Sequence, residues 1–230
     1  MIFSIRRDWP ALLILVGMIL GAVSTWGIAP DRLPVHWGIS GEPDRWGGKA
    51  EGLLLMPGVA ALVFVLMAVL PRFDPGRANY ASFAGAYTLL RTAIVGFFAL
   101  MYAATILPLH GIALEMSSVV SLATGALFIV IGGMMGRLRP NWFTGIRTPW
   151  TLSSKRSWVK THRVGGWAFI GVGVAVLVAG MLSSSAAYVV MMIGALGVTA
   201  FTVVYSWMVW RSDPDKIPPA GTTPANGPDP

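Results

Sequence analysis

The chain has 230 residues, 55% hydrophobic and 12% charged, with a net charge of +7 and no cysteine. A soluble globular chain carries about 25% charged residues, so this composition, with a mean hydropathy of +0.66, excludes an ordinary soluble domain. The missing thiols exclude a disulfide framework, zinc–thiolate and iron–sulfur sites, and a cysteine nucleophile.

Stretches free of Asp, Glu, Lys and Arg run over 9–30, 52–71, 92–114, 116–136 and 164–210. A hydrocarbon core of about 30 Å takes roughly 20 helical residues. The first four stretches therefore supply one crossing each. The last is long enough for two, with Ser183-Ser184-Ser185 as the turn between them. Six spans are predicted, over about 11–28, 53–70, 87–107, 117–136, 165–182 and 187–210. The first span also carries the basic start and the Ala22-Val23-Ser24 string of a signal peptide, but its apolar run to Ile28 favours a retained helix.

An even number of crossings places both termini on one side. With the termini inside, 14 of the 17 basic residues face the cytoplasm and only Arg32, Arg45 and Lys49 face outward. That split follows the positive-inside bias and accounts for the net charge without nucleic acid. The expected class is an all-α, multi-pass protein of the plasma membrane. Its parts are the first span with an outer loop (1–52), spans two to four (53–136), an inner segment (137–164), spans five and six (165–211) and a disordered tail (212–230). The tail owes its reading to its prolines and polar residues.

Arg91 is the charge nearest to a span interior. The 16 residues from Thr92 to Leu107 cover about 24 Å, short of the core, so Arg91 is expected to snorkel to the inner interface. No carboxylate falls inside the predicted spans to pair with it. Gly17–Gly21 and Gly132–Gly136 have small-xxx-small spacing, which suits close helix approach.

Two polar segments could carry function. The outer loop 29–52 holds Pro30, Pro34 and Pro43, four turn-permitting glycines, and the aromatic and charged residues His36, Trp37, Asp44, Arg45 and Trp46. These five are the candidates for recognising something outside the cell; an interfacial hairpin is the plainer alternative. His36, Glu42, Asp44, His110 and Glu115 are of metal-ligating type but lack ligand spacing, so neither metal nor cofactor is expected.

The inner segment reads Asn141-Trp142-Phe143-Thr144-Gly145-Ile146-Arg147-Thr148-Pro149-Trp150-Thr151-Leu152-Ser153. Gly145 allows a tight turn, and Pro149 makes Thr148 extended. Ser153 is expected to cap a short amphipathic helix over 154–163, with Trp158, Thr161 and His162 on one face and Lys155, Arg156, Lys160 and Arg163 on the rest. Such a helix would lie on an anionic leaflet and be broken from the fifth span by Gly165-Gly166. No catalytic nucleophile–base pair, paired carboxylates or phosphate loop is present, and the chain does not read as an enzyme.

The Gly145-to-Ser153 string, with Asn141, Trp158, His162 and Gly165-Gly166, resembles the signature of the SdpI family of bacterial membrane proteins. Leu33-Pro34-Val35-His36-Trp37 with Gly41-Glu42-Pro43-Asp44 resembles a domain of unknown function that often precedes it. The resemblance implies immunity to a secreted peptide toxin and capture of a cytoplasmic repressor. Ser154, Lys155 and Arg156 stand where the family pattern is often acidic, which weakens any partner contact carried over to that helix. The expected partners are thus the bilayer, a peptide toxin outside and a repressor-type protein inside. A small transporter or channel is the alternative, and a membrane enzyme acting on lipid or envelope precursors a more distant one.

Overall fold

The computed structural model describes residues 3–217. Six helices in it are long and apolar enough to cross a membrane. They are α1 (Ile5–Trp26), α2 (Lys49–Val69), α3 (Ala84–Ile106), α4 (Met116–Met135), α6 (Lys155–Gly180) and α7 (Ser184–Arg211), with a single-turn α5 (Pro149–Leu152) before α6. Strands β1 (Arg32–Trp37) and β2 (Pro43–Gly48) form an antiparallel hairpin between α1 and α2. Short 3₁₀ turns at Leu70–Arg72, Arg77–Phe83 and Leu107–His110 complete the connections. One end of the bundle carries Phe3, the inner segment and Ile217; the other carries the hairpin. We call them the termini end and the hairpin end.

The helices pack mainly as neighbours, with α6 lying between α4 and α7. Glycine makes the α4–α6 approach possible. A methyl group on Gly132 would collide with the carbonyl of Gly166, and one on Gly125 would come within 2.9 Å of the carbonyl of Gly173. Each helix therefore presents two glycines one heptad apart to its antiparallel neighbour, the close contact that small residues permit in lipid. The predicted spacing pairs do not work as pairs: Gly17 and Gly136 face open space, while Gly21 meets Ile106 and Gly132 meets α6.

Three expectations are corrected. Gly165-Gly166 does not separate two helices; α6 runs unbroken from Lys155 to Gly180. Both glycines are buried, and they serve packing against Ile146 and Gly132 rather than a break. The start of α6 is consequently continuous with the fifth spanning helix and is not a separate amphipathic helix. Its cap is Ser154, one residue later than expected, whose hydroxyl accepts from the Ser157 N–H. Third, Ser212 to Ile217 are ordered against this end: the Ser154 hydroxyl donates to Asp213, and the Ile217 N–H donates to the Ser153 carbonyl at 2.9 Å. The remainder of the expected disordered tail, 218–230, lies outside the described residues.

Arg91 is corrected as well. It is fully buried and ion-paired with a fully buried carboxylate, Asp8. The charge-free stretch starts at 9 and the predicted first span at about 11, but α1 begins earlier, at Ile5, and carries Asp8 inside. The second Asp8 oxygen accepts from the Ser4 N–H at 2.9 Å. The guanidinium of Arg91 also lies 5.2 Å from the centre of the Phe64 ring and 5.8 Å from that of Tyr87, where an aromatic face attracts a cation.

Candidate functional site

At the termini end the predicted inner residues converge on one hydrogen-bonded knot. Asn141 is buried and closes the turn after Arg139. Its Oδ1 accepts from the N–H groups of Phe143 (3.0 Å) and Thr144 (2.7 Å), and its Nδ2 donates to the carbonyls of Arg139 (2.9 Å) and Thr144 (3.1 Å). Thr148 caps α5 in a reciprocal box with Thr151: each side chain accepts the other's N–H. Thr151 also donates to the Ile146 carbonyl at 2.8 Å, fixing the loop before α5. Pro149 occupies the first helical position, where its missing N–H is not needed.

His162 is the centre of this knot. Its Nδ1 lies 2.8 Å from the Trp158 carbonyl, and its Nε2 lies 3.0 Å from the Ile146 nitrogen. A carbonyl only accepts and an amide N–H only donates, so the ring is the neutral tautomer with the proton on Nδ1. Trp158 stacks on it at 4.1 Å between centroids and donates its indole N–H to the Leu138 carbonyl at 3.0 Å. Gly145 has φ +104, and a side chain there would strike His162. Both reasons require glycine at that position.

Sequence reasoning missed the partners that hold this knot from other elements. Asp74 is buried and accepts from the Gly76 N–H (2.6 Å), the Tyr80 hydroxyl (2.8 Å) and the Trp142 N–H (2.9 Å). The Asp74-Pro75-Gly76 string is a turn signal that announced the first of these bonds; nothing local announced the others. Ser206 of α7 shares a hydrogen bond with Thr148 at 2.9 Å and accepts through its carbonyl from Ser157 at 2.8 Å. Asp213 has its carboxyl held below the ordinary range, chiefly by the hydrogen bond from Ser154.

The outer face of the knot is different in character. Arg147 is exposed and donates to the Trp142 carbonyl at 2.6 Å, while Trp142 and Phe143 are partly exposed. Ser153 donates to the Pro149 carbonyl at 2.7 Å, and Trp150 is half-buried.

At the hairpin end the loop 29–52 is an ordered hairpin. Leu33 is buried with Met18, Ala22, Leu53 and Tyr102, anchoring β1 to the bundle. Gly41, with φ +85, closes the turn and lets it approach Ser117 of α4. A cavity of about 550 Å³ opens between this turn and the ends of α4, α6 and α7. His36, Trp37 and Asp44 line it from the hairpin; Ser121, Val176 and Tyr188 line it from the helices. His36 Nδ1 and Asp44 Oδ1 are 2.5 Å apart at the mouth.

The five outer candidates are therefore divided. Arg45 pairs with Glu51 at 2.7 Å, away from the cavity wall. Trp46 is 50% exposed, and its carbonyl accepts from Arg32. The irregular register of β1 against β2 around His36 produces this division, because a bulge re-aims neighbouring side chains. Among the described residues no three His, Asp or Glu side chains gather as metal ligands. His110, another metal-type candidate, instead lies 2.9 Å from the Thr25 hydroxyl.

Residues 137–206 match the SdpI/YfhL protein family, and residues 12–61 match a domain of unknown function (DUF1648). The chain carries the SdpI family signature behind that domain. The SdpI segment contains nearly all of the termini-end knot, together with α5, α6 and most of α7. DUF1648 contains most of α1, the hairpin and the start of α2. The 550 Å³ cavity has one wall from each matched segment, the hairpin on one side and α7 with Val176 of α6 on the other, and a third wall from α4, which lies between the two matches. Searches among curated proteins and among solved structures return no match.

Proposed function

We propose that this protein is a non-catalytic immunity or envelope-stress protein of the bacterial plasma membrane. In this reading the termini are cytoplasmic, and the cavity beneath the hairpin receives part of a membrane-active peptide. The SdpI segment supports immunity, and the cavity carries the structural side of the reading. It combines an apolar floor, an aromatic side chain and a His–carboxylate pair at its mouth, the mixture that anchors a peptide side chain. The hairpin-end loops hold five carboxylates (Asp31, Glu42, Asp44, Glu51 and Glu115) against three basic residues, so this end favours a cationic ligand. Exposed Trp142, Phe143 and Arg147 would offer a cytoplasmic regulator its contact surface.

The test is survival of a toxin-sensitive host expressing the protein and its hairpin variants. Trp37→Ala and Asp44→Asn should lower protection, by about thirtyfold in peptide affinity for a buried anchor. Arg45→Ala and Trp46→Ala should change it less, at equal membrane abundance. Equal protection by all four variants would remove the cavity from the mechanism. If no peptide or envelope stress alters survival, the immunity reading fails.

The buried Asp8–Arg91 pair favours the transporter reading, since buried charges within spans mark ion paths in other folds. Proton or cation flux into liposomes containing the protein, abolished by Asp8→Asn, would establish it.

A further inference from the structure

A second cavity, of about 540 Å³, opens at the termini end between the start of α1 and the chain joining α2 to α3. Arg7, Arg72, Arg77 and Tyr80 line it, against an apolar wall from Phe3 and Pro71. Among the described residues none of these arginines takes part in an ion pair. The nearby carboxylates are already engaged: Asp8 holds Arg91 and the Ser4 N–H, and Asp74 accepts three hydrogen bonds. Three arginines lining one cavity make its potential positive, which favours an anion there.

We propose that this cavity holds the phosphate headgroup of an anionic phospholipid from the leaflet at the termini end. The planar guanidinium donates two parallel hydrogen bonds to a phosphate, and basic pockets between spanning helices take such headgroups. The apolar wall, which Ala81 and Ala84 extend beside Phe3 and Pro71, suits the start of an acyl chain and gives free phosphate nothing to bind. Topological charge alone explains basic residues at this end, but not three arginines converging on one apolar-walled cavity. The occupant also bears on the signature loop. Tyr80 lines the cavity and donates to Asp74, which accepts the Trp142 N–H. A headgroup there would sit two hydrogen bonds from the SdpI segment.

The experiment is native mass spectrometry of the full-length protein after exchange in mixed micelles of phosphatidylglycerol and phosphatidylcholine. The unaltered protein should retain one phosphatidylglycerol in preference to phosphatidylcholine, and excess inorganic phosphate should not displace it. Arg72→Gln with Arg77→Gln should weaken retention about thirtyfold. Lys160→Gln with Arg163→Gln, an equal charge change on an exposed face of α6, should leave it unaltered. Equal retention of the two lipids by the unaltered protein would overturn the proposal without recourse to any variant. So would equal loss in both double variants, or displacement by phosphate, which would assign the cavity to the free ion.

Discussion

Asp8 and Arg91 lie 83 positions apart in the chain and meet as an ion pair with no exposed surface on either side chain. Removing one partner strands the other charge in a medium that cannot solvate it, at about 3–5 kcal/mol. Arg91→Met should therefore lower the thermal midpoint in detergent sharply. Asp8→Asn combined with Arg91→Met should recover much of that loss, because no bare charge remains. A double variant no more stable than Arg91→Met would show that the pair contributes nothing as a pair.

Gly145 is predicted to be irreplaceable for two independent reasons, its φ of +104 and the contact a side chain would make with His162. Gly145→Ala should destabilise the protein by about 2 kcal/mol or more. Gly136→Ala, where an added methyl meets nothing within 4 Å, should be silent. Chemical denaturation of both in matched micelles compares them; equal stability would contradict the geometry of the knot.

The docking of residues 212–217 should depend on pH through Asp213. Its carboxyl is held below its ordinary value of 3.8, chiefly by the hydrogen bond from Ser154. A lowered folded-state value means the ionised form stabilises docking. That contribution is present above 3.8 and disappears as the pH falls through the folded-state value. Hydrogen exchange at the Ile217 N–H, corrected for the intrinsic rate, should show protection at neutral pH that is lost in acid. Ser154→Ala should reduce protection already at neutral pH. Protection insensitive to both would show that Asp213 is not the tether.

The proposed orientation has a clean test because the chain has no cysteine. Ser40→Cys, on the exposed hairpin turn, should react with an impermeant maleimide in intact cells. Lys155→Cys, exposed at the start of α6, should react only after permeabilisation. The opposite pattern would invert the protein in the membrane and place the arginine-lined cavity outside.

The six spans were legible in the sequence because lipid imposes one dominant requirement, a run of about 20 apolar residues. The turn at Ser183 was legible for the same reason, and Ser183 caps α7 by accepting the Ala186 N–H. The unusual density of Asn, Thr, Trp and Pro over 141–153 marked a segment with more than a topological task. Its residues do form one knot, since Asn141, Thr148 and Thr151 satisfy their neighbours' backbone groups over only two to five positions. Everything at longer range was decided by packing. Charge counting removed Asp8 from the first span and left Arg91 without a partner, because a buried carboxylate is tolerable only beside a cation that another helix supplies. Gly165-Gly166 read as a helix break because glycine is a poor helix former in water. In the bundle, the close approach of Gly132 turns that same residue type into a contact surface. The division of His36, Trp37 and Asp44 from Arg45 and Trp46 follows from a register irregularity between two strands, and no spacing within either strand encodes which face a bulge will turn toward the helices.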